Sequence, residues 1–498
     1  MLENTNRAIA INSMIMYARM GINTILALLT TRYALQALGV TDFGLFAVLG
    51  SIISFMGVFN TIMLSTSNRF IAVAIGRGED KEINKVFNIN LIIFIGCAII
   101  LLIIGLPLGE WYVRKYINYD GPIETVLMVF YLSLIGSVIS TIATPYNGLI
   151  MAKERFLIFS LVDVAIHIVR FIVAILLVNY FSKKLLIYTI SQSLTIALPT
   201  ILYYIYCKIE FPKIVKFKIV KDSKSYKDIF KFSGWVAYGA VASVVRNQAA
   251  ALLVNHFFST IVNAALGIAN SLNTYVMMFA NNLTQPMQPQ ITKSYAAGNY
   301  ERTDELLIMS TKFSFLLMLF IGAPFFVGAE WIMGLWLGDV PAYAVSFTIL
   351  LIIDNLITSF NSGLSLVLFA DGRIAIYQII VNTLRLIAVV VAFFVLKSGA
   401  TPNSLFYTYI IFSLLIVIAT QWCLHYTLKY DNKKLIRKSY IPSLTVLIVF
   451  IPILFLPESI HVLVRIAISM LYLSLVEIFI GLNIKERQYI FQFIFSKK

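Results

Sequence analysis

The chain has 498 residues, 59% of them hydrophobic and only 13% charged. A soluble domain carries about a quarter charged residues and needs polar cover over its core, so this balance excludes a soluble protein, and it excludes disorder as well. The net charge of +15 belongs to a chain too apolar for a nucleic-acid-binding reading, which leaves a polytopic integral membrane protein.

The first apolar run opens at Ala8 and is as long as a spanning helix, so it reads as an uncleaved anchor rather than a signal peptide. Runs long enough to cross about 30 Å of hydrocarbon predict about fourteen helices in all. Six fall at 8–31, 43–75, 86–108, 123–150, 157–181 and 185–207, and six more at 232–254, 260–292, 307–328, 343–369, 374–396 and 405–428. Two follow at 440–456 and 460–482. The runs 43–75 and 260–292 exceed one span and must tilt or project from the bilayer. Cys97, Cys207 and Cys423 are isolated in apolar runs, with no spacing that suggests a disulfide framework or a metal site. They read as small apolar packers.

Loop charge sets the orientation. With the N-terminus in the cytoplasm, inner segments hold 26 Lys and Arg, outer loops six, and seven lie within or at the ends of spans. The positive-inside rule therefore places both termini in the cytoplasm. Eight lysines fall in 208–231 alone. The basic balance is thus topological, and anionic lipid headgroups are sufficient partners for it.

The chain also repeats at a spacing of 220 residues. GVTDFGLFAVLGSI (39–52) aligns with STIVNAALGIANSL (259–272), and GRGEDKEINKVF (76–87) with AAGNYERTDELL (296–307). Glu110-Trp111 falls on Glu330-Trp331, although interfacial tryptophan anchoring explains that pair equally. After a loss of two residues, MAKERF (151–156) aligns with FADGRI (369–374), pairing Arg155 with Arg373. Six spans per repeat give both halves one orientation, as in transporters built from parallel repeats. The organisation read from this is an N-terminal six-helix lobe (1–207), a Lys-rich cytoplasmic linker (208–231), a C-terminal six-helix lobe (232–428), and two accessory helices with a cytoplasmic tail (429–498). A site between two pseudo-symmetric lobes and alternating access by rocking follow as expectations.

Ionisable groups inside spans are the candidate functional residues, because each costs about 2.5–3.5 kcal/mol on insertion scales. Arg19 lies mid-helix in the first span, with Arg170 in the fifth, Arg246 in the seventh and Arg385 in the eleventh. Asp163, His167 and Arg170 share one helical face, as do Asn382 and Arg385. Asp354, Thr358 and Asn361 form a polar stripe in the tenth span. Asn270, Asn273, Asn281, Asn282, Gln285 and Gln288 make the eighth span too polar to face lipid, so it reads as lining a wet cavity. Arg69, Lys312 and Arg465 lie near span ends and are expected to snorkel to the interface.

Asp163 has a structural reading as a partner of His167 or Arg170, and a lone histidine is most simply a neutral hydrogen-bond partner. Arg19, Arg246 and Arg385 have no acid at helical spacing in their own helices, and Asp354 is the only other deep acid in reach of them. Surplus fixed positive charge in a cavity points to an anionic substrate; structural pairing is the alternative. A guanidinium stays ionised at low dielectric and grips phosphate oxygens two at a time, so a pyrophosphate carried on a lipid suits these arginines. The amides of the eighth span suit sugar hydroxyls.

LGVTDFGLFAVLGSI (38–52), SNRFIAVAIGRGEDKEINKVF (67–87), PYNGLIMAKERF (145–156) and WIMGLWLGDVP (331–341), in this order and spacing, resemble the polysaccharide-transporter branch of the multidrug/oligosaccharidyl-lipid/polysaccharide (MOP) exporter superfamily, and within it the O-antigen-type flippases. The resemblance covers nearly the whole chain. It implies an all-α polytopic fold with two six-helix lobes in a V shape plus two accessory helices. It also implies a non-enzymatic flippase that moves an undecaprenyl-pyrophosphate-linked oligosaccharide from the inner to the outer leaflet of the bacterial inner membrane. Polysaccharide polymerase and chain-length machinery are the partners it suggests, beside membrane lipids. No cofactor is implied, although Asp163, His167 and Asp354 are candidates for coupling to a proton or sodium gradient. Two relatives are alternatives: a peptidoglycan precursor flippase, and a multidrug exporter whose cationic substrates surplus arginine would repel. A membrane-embedded polymerase or ligase is a remote alternative, since no nucleophile–base spacing, metal cluster or phosphate-cradling motif is visible.

Overall fold

An apolar chain that must satisfy its backbone without water has two spanning solutions, helices or a closed barrel. The computed structural model takes the first: the chain is helical nearly throughout, with no strand among the described residues. The structure describes residues 2–488 except 79, 117–121, 182, 259, 338, 458 and 485, and only the backbone of 2–6, 28, 35, 40–63, 116, 260 and 261. Asp120 and the side chains of the 40–52 motif lie outside the described residues.

The chain forms two compact units, Ala8–Ala237 and Tyr238–Lys498, the latter joined by Met1–Arg7. In chain order, the first unit is built from α1 (Leu2–Arg77), α2 (Asp80–Tyr116), α3 (Ile123–Ala152), α4 (Phe156–Asn179), α5 (Lys184–Glu210), the single turn α6 (Pro212–Val215) and the start of α7 (Ser223–Phe257). The second takes the rest of α7, then α8 (Thr260–Thr284), α9 (Met287–Ala296), α10 (Tyr300–Leu337), α11 (Ala344–Ser359), α12 (Ser362–Asp371), α13 (Ala375–Lys397) and α14 (Ser404–Leu428). It ends with α15 (Asn432–Phe455) and α16 (Val462–Gly481).

All fourteen expected spans fall on helices. Ten helices among the described residues are long and apolar enough to cross a membrane, or eleven with α11 and α12 taken as one bent span. The helices α7 and α8 fall short of that test because amides and Arg246 interrupt their apolar runs.

Breaks within the helices have local causes. The first two expected spans are one helix broken at Gly39, whose φ of 75° and ψ of 174° belong to a region only glycine enters freely. The expected 260–292 span divides at Pro286 into α8 and α9, since proline removes a helical donor. The expected 343–369 span bends by 45° between α11 and α12. There Gly363 lets the chain press on α10: a Cβ would lie 2.3 Å from the Leu307 carbonyl oxygen. In α10 the helix is distorted at Gly328, four residues after Pro324, and runs on to Leu337 beyond the expected end.

Packing in each unit follows the rule for helices in lipid, where small residues admit close approach. In the first unit α3 presents Ser133, Gly136, Ser137, Thr141 and Gly148 inward, and a Cβ on Gly136 would sit 3.1 Å from the Ser193 carbonyl oxygen of α5. Phe87, Leu149, Ile71 and Cys207 close a core joining α1, α2, α3 and α5. The second unit gathers Val254, Leu266, Phe347, Ala392 and Phe406 into a core of α7, α8, α11, α13 and α14.

Backbone geometry repeats with the sequence. Gly78 and Gly298, 220 positions apart, are both left-handed (φ 81° and 74°). Glu154 and Gly372, matched after the two-residue loss, are left-handed too (φ 61° and 89°). The residues two positions on, Phe156 and Ile374, are each 1% exposed. Between them, Arg155 Nη2 reaches Glu210 Oε1 at the end of α5 (2.5 Å), while Arg373 Nη2 donates to the Thr427 carbonyl at the end of α14 (3.0 Å). Each arginine thus ties the start of one helix to the end of the next.

Candidate functional site

In the first unit Arg19 finds its acid across helices. Its Nη1 lies 3.2 Å from Asp163 Oδ2, which also accepts from Asn23 Nδ2 at 2.7 Å. The guanidinium is further held over the Phe159 ring, 4.8 Å from its centroid. The hydrogen bonds of the Asp163 carboxylate thus run to α1, with His167 of its own helical face at longer range. His167 Nδ1–H donates to the Asp163 backbone carbonyl at 2.9 Å and stands 3.9 Å from Oδ1. Arg170 turns away to Thr195, with Nε donating to Oγ1 at 2.9 Å.

The second unit has the same two-part arrangement. Arg246 Nη2 meets Asp354 Oδ2 at 2.8 Å, and the other carboxylate oxygen accepts from the Ser413 hydroxyl. Tyr409 supports the pair twice, by its ring 4.5 Å from the guanidinium and by its hydroxyl donating to the Arg246 carbonyl at 3.1 Å. Arg385 Nη1 donates to Asn382 Oδ1 (2.8 Å) and to Ser243 Oγ (3.1 Å). Asn382 is in turn fixed by Gln378, whose side-chain oxygen accepts from Nδ2 at 2.5 Å. Gly239 permits this network, because a Cβ there would lie 2.5 Å from Gln378 Oε1.

Two acids thus serve two arginines: Asp163, expected beside His167 or Arg170, reaches Arg19 instead, so Asp354 does not stand alone before Arg19, Arg246 and Arg385. Of these four arginines, Arg170 in the first unit and Arg385 in the second have no carboxylate within ion-pair distance among the described residues. Both are half-buried. Each has five N–H donors, of which the hydrogen bonds above use one in Arg170 and two in Arg385. Such groups can take an anion without first breaking an ion pair.

The amides of α8 divide by face. Asn270 and Asn281 are exposed beside Ser271 and Thr274, while Ala265, Leu266, Ala269 and Val276 bury the opposite side. Asn273 is used internally, accepting from Asn355 Nδ2 of α11. Gln285 lies half-buried just beyond the end of α8. Asn281, Asn355 and Thr358 line a small cavity of about 70 Å³ with Met277 and Met318. No group of three or more His, Cys, Asp and Glu able to hold a metal occurs among the described residues.

The three residues expected to snorkel differ. Lys312 is buried, 2% exposed, with Nζ 2.5 Å from Glu486 Oε2, because the segment after α16 brings a carboxylate to it. Arg69 is stacked between the Phe70 and Phe232 rings at 4.8 and 4.6 Å. Arg465 Nε is buried without a hydrogen-bond partner among the described residues.

Sequence reasoning passed over Asn23, Thr195, Ser243, Tyr409 and Ser413, all neutral partners of the embedded charges. One signal was present: Gly239, Ser243 and Arg246 share a face of α7. It also passed over Asn84 and Asn88, one turn apart on α2, which fasten the 208–231 segment. Asn84 Nδ2 donates to the Ile214 and Lys216 carbonyls (2.7 and 2.9 Å), and Asn88 Oδ1 accepts from the Lys218 amide (3.0 Å). Asp222 completes the attachment, pairing with Lys85 at 2.7 Å and accepting from the Ser225 hydroxyl at the start of α7. The Lys85 ammonium, followed by the two Ser225 hydrogen bonds, holds the Asp222 carboxyl well below its usual range.

Comparison with known proteins agrees with this architecture. A crystal structure of a MATE transporter in the straight conformation superposes with a TM-score of 0.72 at 15% identity, covering 85% of this chain and 97% of that one. An outward-facing multidrug resistance MATE family transporter of the MOP superfamily gives 0.73 at 14% identity, covering 85% and 95%. A MOP superfamily transporter from Pyrococcus furiosus, described as having a binding pocket of reverse polarity that suggests a different function, gives 0.70 at 14%, with the same coverage. At these identities the likeness is one of fold. No curated protein matches the sequence. Residues 10–294, more than half of the chain, match the family described as polysaccharide biosynthesis protein. This all-α, multi-pass membrane protein with the fold of MOP superfamily transporters belongs to the polysaccharide biosynthesis protein family.

Proposed function

We propose that the chain is a flippase for an anionic lipid-linked oligosaccharide, carrying a polyprenyl-pyrophosphate-borne repeat unit from the inner to the outer leaflet of the bacterial inner membrane by alternating access, with both termini in the cytoplasm. The observation that carries this reading is the pair of half-buried guanidiniums, Arg170 and Arg385, that hydrogen-bond neutral groups and have no described carboxylate within ion-pair distance. A pyrophosphate supplies the missing negative charge and matches the guanidinium fork. Exposed Asn270 and Asn281 on α8 add amide donors and acceptors suited to sugar hydroxyls. Membership of a polysaccharide biosynthesis family supports a glycan cargo. Polymerase and chain-length machinery are its proposed partners. Arg19 and Arg246, already paired, hold their helices together and are secondary contacts.

Asp163 is the proposed coupling group for a proton or sodium gradient. Its side chain is 30% exposed against 10% for Asp354, so it is the more open of the two carboxylates. His167 beside it is placed to adjust its affinity. Replacing Asp163 by Asn should weaken the dependence of transport on the ion gradient; unchanged dependence removes it from this role.

The test follows lipid-linked oligosaccharides, and the leaflet they occupy, in cells depleted of the protein, using an impermeant glycan probe. Repeat units accumulating on the cytoplasmic side, with loss of surface polysaccharide, support the flippase. Normal arrival at the outer leaflet in the absence of any second flippase overturns it and makes drug export the reading to pursue.

A further inference from the structure

We propose that the 208–231 segment is a pre-shaped docking surface for the anionic phospholipid headgroups of the membrane the chain spans. All eight of its lysines are exposed. Of its three acids, Glu210 is engaged by Arg155 and Asp222 by Lys85, so most of the lysine charge is left for an external partner. Large apolar side chains alternate with that charge and are just as open: Phe217 is 58% exposed, Ile219 68% and Phe230 55%.

Neither property alone identifies the partner. A lysine-rich loop facing water has no use for protruding phenylalanine and isoleucine, and an apolar surface buried in lipid or protein does not tolerate a row of ammonium groups. The boundary of an anionic bilayer accepts both, with ammonium groups on phosphates and apolar tips in the acyl margin.

Position and rigidity agree. The segment joins the end of α5 to the start of α7 and lies against the beginning of α2, at the ends of two helices long and apolar enough to cross a membrane. Residues 216–222 have no helical structure, yet they are not loose. Asn84 and Asn88 hold the backbone at Ile214, Lys216 and Lys218, and Asp222 anchors its end. Ile214 is buried against α1, α2, α3 and α5, which fixes the near edge. A strap fastened through its backbone leaves its side chains free to bind and loses little freedom when lipid arrives.

The experiment places a nitroxide at Phe217→Cys in the full chain with its three native cysteines changed to Ala, reconstituted in phosphatidylcholine nanodiscs with or without about one-third phosphatidylglycerol. Collision with oxygen reports the acyl region, and collision with a water-soluble nickel complex reports solvent. The expected result is preference for oxygen when phosphatidylglycerol is present, shifting several-fold toward the nickel complex when it is omitted, when salt is raised, or when Lys216, Lys218 and Lys221 are changed to Gln. Equal nickel exposure in both lipids overturns the proposal, as does burial that ignores lipid charge, and shielding from both reagents shows a protein partner instead. Should the cysteine-free chain fail to fold, native mass spectrometry of the unmodified chain replaces it. Retention of phosphatidylglycerol over phosphatidylcholine, lost in the triple Lys→Gln variant, is then expected, and equal retention of both lipids overturns the proposal.

Discussion

The four embedded arginines separate into two kinds by what removing each would leave behind. Truncating Arg246 strands Asp354, whose side chain is 10% exposed, and losing one member of such a pair costs roughly 2–4 kcal/mol once partial exposure is allowed for. Truncating Arg385 or Arg170 strands only hydroxyls and an amide that can rebond locally. Arg385→Ala and Arg170→Ala should therefore yield stable protein, by thermal unfolding in detergent, that fails to restore surface polysaccharide in depleted cells. Arg246→Ala should lose stability first, and Arg246→Met with Asp354→Asn should recover most of it. Equal thermal loss in all variants would remove the distinction between the two kinds. Gly239 tests the positioning of Arg385 independently. Gly239→Ala forces Gln378 and Asn382 apart from α7, so it should lower transport with a stability loss of about 1–3 kcal/mol.

Helix ends and breaks answer to single residues. At Gly39 any Cβ meets the steric penalty of its backbone region, even with no described neighbour within 4 Å, so Gly39→Ala should destabilise by about 1–3 kcal/mol. Gly372 and Glu154 make a sharper comparison because the repeat assigns them the same left-handed position. Gly372→Ala should cost about 1–2 kcal/mol, while Glu154→Gly should relieve a strain of the same size in the other half. The strap offers a pH prediction. Asp222 has a depressed carboxyl pKa, so its contribution is complete above the ordinary value of about 4 and fades only as pH falls below it. Amide-exchange protection of residues 216–222, corrected for intrinsic rate, should stay level from neutral pH to about 5. Asp222→Asn should reduce it at neutral pH.

At the level of the whole chain, the many-helix spanning fold, the 220-residue offset of the turn glycines and the embedded charges were legible because each rests on composition or spacing, which need no knowledge of packing. Gly78 matching Gly298 shows this well, since both the offset and the need for a left-handed residue can be read from the letters. Pairing was not legible. Arg19 and Asp163 are 144 positions apart, and nothing in either helix marks the other as its partner. Neutral partners such as Thr195 and Ser243 were hidden for the same reason. Lys312 is the plainest case: its place near a span end suggested reach to the interface, yet the carboxylate it meets lies 174 positions on, beyond the accessory helices. Those helices thus carry a structural duty. Asn483 Oδ1 accepts from the Glu486 amide and Glu486 Oε2 accepts from the Asn483 amide, a reciprocal cap that aims the carboxylate at Lys312. Breaking it by Glu486→Ala leaves an ammonium group 2% exposed without its acid, at about 2–4 kcal/mol. The double variant Lys312→Met with Glu486→Gln removes the charge as well as the partner and should unfold close to the natural temperature. If the single and double variants unfold alike, the pair is incidental and the accessory helices are held by apolar contacts such as those of Gly328 with Val462 and Ile466.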